Sequence, residues 1–442
     1  MLRKLFYHKL FFFCFLVAVS IAYKGYAQTF ERVETIVGLG DLAHNNGVAV
    51  ADYDGDNDLD IFVVANAVED SEDFTSFSRL YRNNNDGSFT DVTEASGLVD
   101  LLTEEEEVQL TLAQQGYKFS ASWGDYNNDG FPDLFLTYSL KVQLWRNLGN
   151  GTFANVTEIS GFEATNDCLN IGATWFDYNN DGFLDIYITD WSGCNSNSIY
   201  RNNEGLSFTE VTTSLGLTEV ESNHSYTPFP FDINDDGWMD LIVTNDLEDP
   251  NYLYINQSGT SFMETAQTYG LDNMIDDMGI AINDFDLDGD FDFFITGIDE
   301  NALLENNGFN IFSETSNAYG LNSTGWTWGI RFSDFDLDGD EDLFVVNGYD
   351  FEGRGPEQNV YYRNLHSQGS AMFEDASVEL GLNENTESVE ALDFDYDNDG
   401  DMDLLVTNNN KECFFYENKL LNFDDAETTL NWLKVHLEGT VS

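Results

Sequence analysis

The sequence predicts an all-β protein, a β-propeller of seven four-stranded blades. An acidic nonapeptide of the form Asp-x-Asp/Asn-x-Asp-Gly-x-x-Asp occurs seven times, and successive copies start 50 to 73 residues apart. Each copy runs directly into a β-branched, apolar segment, and the same aromatic landmarks recur between the copies at a constant phase. A unit of about 50 residues that holds four strand-like segments is the repeat of a propeller.

The nonapeptides predict calcium-binding loops, one in each blade. Oxygen-bearing side chains on alternate residues, with Gly at the sixth position for a sharp turn, suit a hard cation such as Ca²⁺. Solvated Asx turns are the alternative, but a turn needs no acid at its ninth residue. Clustered carboxylates would also repel one another without a cation, and Mg²⁺ sites rarely use so many protein carboxylates. We therefore predict up to seven Ca²⁺ ions.

The predicted ligands are side-chain oxygens at positions one, three, five and nine and the carbonyl at position seven. In chain order they are Asp52, Asp54, Asp56, Asp58 and Asp60; Asp125, Asn127, Asp129, Phe131 and Asp133; Asp177, Asn179, Asp181, Phe183 and Asp185; Asp232, Asn234, Asp236, Trp238 and Asp240; Asp284, Asp286, Asp288, Asp290 and Asp292; Asp334, Asp336, Asp338, Asp340 and Asp342; and Asp395, Asp397, Asp399, Asp401 and Asp403. The first copy departs from the pattern, with Gly55 at position four and Asn57 at position six. Because Asn tolerates a left-handed backbone, we retain that site. These loops are not EF-hands, because an apolar residue stands where an EF-hand has its twelfth-position Glu.

The remaining strands and the ring closure follow from the phase of the repeat. A short aromatic strand ending in Asn, such as residues 80–83, follows each loop, and then comes an element of the form Phe-x₇-Gly-apolar, such as residues 89–98. The last unit has no such Phe element, whereas the Phe element that starts at Phe30 precedes every loop. We predict that residues 30–36 form the outer strand of the seventh blade, which removes the open edges of the ring.

These repeats, which cover residues 30–418, resemble the FG-GAP/VCBS repeats of integrin α-subunit propellers and, more closely, those of the cartilage acidic protein family. The tail Asn431-Trp-Leu-Lys-Val-His-Leu-Glu-Gly439 resembles the opening strand of the ASPIC/UnbV domain that follows such propellers. The resemblance implies an extracellular, calcium-loaded interaction module at residues 28–419. Residues 420–442 would then be a linker and the start of a truncated ASPIC/UnbV domain.

Residues 1–27 have the pattern of a secretory signal peptide: a basic start, an apolar stretch and a small-x-small site that ends at Ala27. The apolar stretch is too short for a comfortable membrane span. We therefore predict cleavage after Ala27 and a secreted or cell-surface protein with no direct membrane insertion. Cleavage would leave 13 of the 17 basic residues and all 81 acidic ones, and 13 − 81 gives a charge of −68. That charge argues against nucleic acid and anionic membrane surfaces as direct partners, except through calcium bridges.

Three cysteines follow the signal segment. Cys168 and Cys194 fall in loops that we expect on the face opposite the calcium loops, and an exported protein favours a disulfide between them. Two buried thiols are the alternative. Cys413 stands at the head of an apolar strand, which predicts a core position.

The sequence contains no nucleophile elbow, phosphate-binding loop or paired-histidine zinc spacing. We therefore predict a non-catalytic adhesion or ligand-binding module for an extracellular protein or a glycan. A polysaccharide-binding or polysaccharide-degrading propeller is the alternative, since such enzymes can lack a linear motif. Departures from the repeat at residues 66–77, 99–117 and 348–359 lie opposite the calcium loops and indicate a recognition face. Trp191, Trp326 and Tyr349 are hypothesised to form its ligand platform, with packing between blades as the alternative.

Overall fold

The structure is a computed structural model that describes residues 28–40, 45–65, 78–98, 118–163, 168–192, 197–217, 224–348, 354–370, 373–409 and 411–421. Seven four-stranded antiparallel sheets form the blades, which confirms the predicted propeller. The first strands of neighbouring blades contact one another around the axis, including those of blades one and seven. Among the described residues, no helix has the length and apolar character needed to cross a membrane.

The strands of blades one to four run outward from the axis in chain order. They are β2 (Asn45–Ala51), β3 (Asp60–Ala65), β4 (Arg79–Asn83) and β5 (Phe89–Asp91); β6 (Lys118–Gly124), β7 (Asp133–Tyr138), β8 (Lys141–Asn147) and β9 (Phe153–Asn155); β10 (Asn170–Phe176), β11 (Asp185–Asp190), β12 (Ser198–Asn202) and β13 (Phe208–Glu210); and β14 (Ser225–Phe231), β15 (Asp240–Asn245), β16 (Tyr252–Asn256) and β17 (Phe262–Glu264).

Blades five and six follow the same order, and blade seven takes its outer strand from the start of the chain. The strands are β18 (Ile280–Asn283), β19 (Asp292–Ile295), β20 (Ala302–Asn306) and β21 (Phe312–Glu314); β22 (Thr327–Ser333), β23 (Asp342–Asn347), β25 (Val360–Asn364) and β26 (Phe373–Asp375); and β28 (Ser388–Phe394), β29 (Asp403–Asn408), β30 (Phe414–Asn418) and β1 (Phe30–Arg32). A separate pair, β24 (Glu357–Gln358) with β27 (Asn385–Thr386), joins blade six to the approach of blade seven.

The second strand of each blade is buried along its whole length. It lies between two strands of its own sheet and between two neighbouring blades, so the residues that follow its first Asp are mostly apolar rather than alternating. In four blades a threonine in or directly after this strand donates its hydroxyl to a carbonyl on, or just before, the first strand of the next blade. The donors are Thr137, Thr189, Thr244 and Thr296, at 2.6–3.0 Å. These bonds fix the spacing of consecutive blades.

The Phe-x₇-Gly element is a three-residue strand followed by a helical turn, so the prediction of a plain outer strand was incomplete. A left-handed glycine ends the turn, and the apolar residue after it is buried. The turns are α1 (Glu34–Val37), α2 (Thr93–Ser96), α3 (Thr212–Leu215), α4 (Ala266–Tyr269), α5 (Ser316–Tyr319) and α6 (Ser377–Leu380). In blade two the equivalent segment is an irregular turn, closed by the Ser160 N–H on the Val156 carbonyl at 2.9 Å.

The left-handed glycines differ in how closely the next blade approaches them. A Cβ on Gly161 would lie 2.6 Å from the Phe208 carbonyl oxygen, whereas a Cβ on Gly320 would meet nothing within 4 Å. Both glycines have positive φ, at 95° and 78°. We expect Gly320→Ala to cost about 1–2 kcal/mol of unfolding free energy from backbone strain alone. Gly161→Ala should lower the unfolding free energy clearly more, because its Cβ would also clash with the neighbouring blade. Urea denaturation would measure both losses, and equal losses would contradict the inter-blade clash.

The N-terminal strand closes the ring as predicted, but it is shorter than predicted. Phe30 pairs with Asn418 and Arg32 with Tyr416 in the outer position of blade seven. The prediction of strand to residue 36 was wrong, because residues 34–37 form α1. The physical reason is that this segment is itself a Phe-x₇-Gly element, in which Gly38 at φ 94° ends the turn and Leu39 is buried.

Candidate metal centres

Every acidic loop joins the first strand of its blade to the second, so all seven lie on one face of the propeller. In loop two, the Asp125 carboxylate accepts the N–H groups of Asp129 and Gly130 at 3.0 and 2.8 Å. Asn127 Oδ1 accepts from the Asp129 N–H at 2.9 Å, and Asp129 Oδ1 accepts from Phe131 at 3.1 Å. The same bonds recur in loops three to seven, so the side-chain oxygens at positions one, three and five converge.

Positions four and six of each loop both have a left-handed backbone. In loops two to seven, position six is Gly, and position four is Asn, Asp or Leu at φ 54–60°. Loop one exchanges the two, with Gly55 at φ 80° and Asn57 at φ 74°. The expected left-handed Asn57 is therefore present. Its loop keeps the shared contact, since Asp52 accepts the N–H groups of Asp56 and Asn57 at 3.0 and 2.9 Å.

The ninth-position aspartates are buried in every loop, with exposures of 0–3%. In every blade their Oδ1 accepts the main-chain N–H of the Asn that ends the third strand, at 2.7–2.9 Å. In four loops their Oδ2 also accepts the N–H of the second loop residue, at 3.0–3.3 Å. Each of these aspartates therefore ties its loop to the third strand of its own blade.

The Asn at the end of the third strand also reaches the neighbouring blade, a role that the sequence analysis missed. Its side-chain amide donates to the main-chain carbonyl of the second loop residue in the preceding blade. The pairs are Asn83–Tyr396, Asn147–Tyr53, Asn202–Tyr126, Asn256–Tyr178, Asn364–Phe285 and Asn418–Phe335, at 2.7–2.9 Å. The recurrence of Asn at this position was the available signal. Six of the seven acidic loops, all but loop four, are thus joined to the following blade.

Comparison with known proteins identifies the repeat. The model of the FG-GAP-like repeat matches residues 125–188, 177–243, 232–295 and 284–345, which together span half of the chain. The chain belongs to the FG-GAP-like repeat family. Each match runs from one acidic loop through the next, so loops two to six of this FG-GAP propeller lie within the matched segments. The finer resemblance to the cartilage acidic protein (ASPIC/UnbV) family stays a prediction, and its tail segment lies outside the described residues.

Curated proteins gave no match to the chain. Among solved structures, the chain is similar to an Agrocybe aegerita lectin whose structure concerns specific recognition of non-reducing terminal N-acetylglucosamine. The identity is 15%, the alignment covers 82% of this chain and 85% of that one, and the TM-score is 0.43.

The loops of the FG-GAP propeller have the donor chemistry of a Ca²⁺ site. In four of them, three carboxylates each offer an oxygen within 4.8 Å of the others: Asp52, Asp54 and Asp60; Asp284, Asp286 and Asp292; Asp334, Asp336 and Asp338; and Asp395, Asp397 and Asp399. Shielded carboxylate oxygens without a hydrogen-bond partner occur in the same four loops, on Asp54, Asp292, Asp340 and Asp401. Unpaired buried carboxylate oxygens are costly and call for a cation. The residues present therefore fit the predicted ion.

Burial raises the pKa of all seven ninth-position carboxyls. The pKa reaches about 8 for Asp60, Asp133 and Asp185 and about 7 for Asp240 and Asp292. For Asp342 and Asp403 it lies well above the usual range. Desolvation is the largest cause in every case, and neighbouring loop acids add to it. Without a cation, these carboxyls resist ionisation near neutral pH.

The raised pKa values predict that the calcium-free protein loses stability as the pH rises. An unfolded Asp has a pKa near 3.9, so the stabilising contribution of the protonated form is complete below about pH 4. It is lost as the pH rises through 7 to 8, where the buried carboxyls must ionise. We expect the unfolding midpoint in EDTA to fall between pH 5 and pH 8, measured by urea denaturation. Asp185→Asn should reduce that slope, and a midpoint that rises with pH would contradict the prediction.

The residue before the third-strand Asn gives the loops different charge environments. Arg363 Nε lies 3.6 Å from Asp336 Oδ2 in loop six, and Arg82 lowers the pKa of Asp54 in loop one against the effect of burial. In loops five and seven the equivalent residue is an acid. Glu305 raises the pKa of Asp286, and Glu417 raises that of Asp397, in each case in addition to the larger effect of burial. Loop five therefore has more negative surroundings than loops one and six, whereas at loop seven Lys419 pairs with Glu417 and opposes its effect on Asp397.

The structure describes two of the three cysteines that follow the signal segment, Cys168 and Cys413. Cys168 is disulfide-bonded, which agrees with the expected oxidation. The pairing with Cys194 stays a prediction, because Cys194 lies outside the described residues. Cys413 is a free thiol and fully buried, so its predicted core position is confirmed.

The hypothesised aromatic platform is described only in part. The Trp191 Nε1–H donates to Asp246 Oδ2 at 2.9 Å, and its ring lies 5.2 Å from that of His224. The Trp326 ring stacks on Trp328 at 6.0 Å. Both contacts join neighbouring segments of the fold, as the packing alternative expects. Tyr349 and the insertions at residues 66–77 and 99–117 lie outside the described residues, as does 349–353 of the third insertion.

Proposed function

We propose that this FG-GAP-repeat propeller is a calcium-loaded, non-catalytic binding module that acts outside the cell on an extracellular protein or a glycan. The observation that carries the proposal is the set of seven acidic loops on one face, all with one hydrogen-bonding pattern. Side chains at positions one, three, five and nine, with the carbonyl at seven, would hold Ca²⁺. The ion would neutralise carboxylates that otherwise repel one another.

The loops support a structural role for these acids. The first-position carboxylates accept main-chain N–H groups of their own loop, and the ninth-position carboxylates accept N–H groups from the third strand. These hydrogen bonds hold the carboxylates in place as metal ligands and as supports for the loop, rather than leaving them exposed to a substrate. The Asn83–Tyr396 bond and its five equivalents then join six of the loops to the next blade. A rigid ring that leaves the opposite face to loops suits a binding module.

Action outside the cell is supported by the sequence and by the disulfide. The pattern of residues 1–27 is that of a secretory signal, and Cys168 is disulfide-bonded. Extracellular calcium is also sufficient for sites of millimolar affinity. The strongly acidic composition favours neutral or basic ligands over anionic polymers.

Binding to a glycan array and pull-down of cell-surface proteins, each with calcium and with EDTA, test the proposal. We expect calcium-dependent binding in one of the two assays. Binding in neither, from protein shown to be folded and calcium-loaded, would contradict the proposed function. Release of unsaturated, ultraviolet-absorbing products from an anionic polysaccharide would instead assign a lyase.

A further inference from the structure

The first strands of the blades surround an axial cavity of about 390 Å³. All seven blades contribute to its wall, from Asn46 in blade one to Glu390 in blade seven. The volume lies within the roughly 300–1,000 Å³ of small-molecule sites. No residue of the acidic loops lines it among the described residues, so the cavity is separate from the candidate metal centres.

The cavity wall carries one ion pair and no net charge. Arg331 Nη2 lies 3.0 Å from Glu390 Oε1, and both side chains are partly exposed, at 26% and 33%. They are the only charged side chains among the described residues of the lining. Asp393 approaches Arg331 Nε at 3.7 Å from behind the lining. Burial raises the pKa of the Glu390 carboxyl, and Arg331 opposes that rise. The pair offers donors and an acceptor without favouring an ion of either sign.

Aromatic rings from two non-adjacent blades form another part of the wall. Tyr226 of blade four and Trp328 of blade six have ring centroids 6.0 Å apart and planes inclined at 52°. Blade five lies between them and contributes Gly279 to the lining. A Cβ at that position would lie 2.5 Å from the Trp328 carbonyl oxygen. The glycine therefore lets the main chain of Trp328 in blade six pack closely against blade five.

We propose that this axial cavity binds a single neutral sugar residue. The proposal deepens the proposed function and rests on it. The C–H face of a pyranose packs on an aromatic ring such as that of Tyr226. Its hydroxyls can donate to the Glu390 carboxylate and accept from the Arg331 guanidinium, as charge-assisted hydrogen bonds. A wall of zero net charge suits a neutral ligand better than a sugar acid or an amine.

The test uses calcium-loaded protein and the methyl glycosides of glucose, galactose, mannose, fucose, N-acetylglucosamine and N-acetylgalactosamine. Saturation-transfer-difference NMR and tryptophan fluorescence would follow binding. We expect saturable binding of at least one glycoside. Tyr226→Ala should weaken it about tenfold or more, and Glu390→Gln, which keeps the shape of the side chain, should weaken it severalfold. Tyr252→Ala is the matched control, because Tyr252 is a stacked tyrosine of the same blade, 5.5 Å from Tyr254 and outside the cavity lining.

Three outcomes would overturn the proposal. They are no binding of any of the six glycosides, unchanged affinity in both the Tyr226 and Glu390 variants, and tighter binding of glucosamine or glucuronate than of glucose. If Tyr226→Ala did not fold, the glycoside affinity of the near-isosteric Glu390→Gln variant would still test the proposal. Glycan-array binding that survives both variants would reject the axial cavity while leaving the proposed function intact.

Discussion

Chelation of calcium is expected to lower the melting temperature of the folded protein by about 10 °C or more. A ligand that binds only the folded state stabilises it by about 2.7 kcal/mol per site when its free concentration is a hundredfold above Kd. Up to seven sites act together, and each kcal/mol is worth roughly 2–4 °C in a domain of 150–250 residues. Chelation would also restore the full repulsion among the acids of the chain, which number 81 against 17 basic residues.

The measurement is a thermal melt followed by circular dichroism, in millimolar calcium and in EDTA at one pH and ionic strength. Re-addition of calcium should restore the melting temperature, whereas an equal concentration of magnesium should restore much less. Magnesium serves as the control for general screening of charge, because it has the same valence but prefers to keep its waters. Equal melting temperatures in calcium and in EDTA would contradict the interpretation of the loops as metal sites.

Reversing the charge beside a loop is expected to shift its calcium affinity by about tenfold or more in a predictable direction. Arg363→Glu should tighten binding at loop six, because the guanidinium lies 3.6 Å from the Asp336 carboxylate. Glu305→Arg should weaken binding at loop five. At about 4 Å and an effective dielectric of 20, one unit charge is worth about 4 kcal/mol, and salt reduces this to the order of 1.4 kcal/mol, which is tenfold in Kd. Calorimetric calcium titration of each variant would measure the shift.

The charge pattern also predicts the order in which the loops fill. Loop five, beside Glu305, should bind first, and loops two and three last, because they have Asn at position three and Arg on the third strand. Glu94→Arg is the matched control for Glu305→Arg, since it changes the net charge equally on the exposed outer turn of blade one. A shift in the control as large as that in Glu305→Arg, or shifts of one sign in both loop variants, would contradict the prediction.

The sequence was sufficient for the fold because its signals are local and repeated. Asp-Gly spacing, the apolar run after it and the Tyr-Arg-Asn segment each specify a neighbouring strand or turn, and seven repetitions fix the number of blades. The ring closure was accessible for the same reason, since a Phe element was missing at one end and left over at the other. Only the predicted length of that strand was wrong. The prediction used Gly38 as a landmark of the repeat, whereas a left-handed glycine at this position ends the helical turn α1.

The finer features of the site depend on contacts between segments that are distant in sequence. The N–H of Asn83 meets Asp60, and its side chain meets Tyr396 of another blade. Neither contact follows from a pattern within one repeat, although the recurrence of Asn marks its position. The axial cavity was also inaccessible to sequence reasoning. Tyr226, Trp328, Arg331 and Glu390 come from three blades, and no periodic signal indicates that they share one wall.

The pairing of β1 with β30 has a consequence for how the protein is made. The first strand of the propeller pairs with the last, so blade seven cannot form until the last strand of the propeller, β30, has been synthesised. Until then, β1 lacks its partner, and strands with open edges associate with other chains. The entropy of joining such distant ends grows only slowly with length, whereas contacts between distant segments slow folding strongly. Pairing of the three-residue strand β1 with β30 is therefore a late step in maturation. The chain is vulnerable to aggregation until Phe30 pairs with Asn418.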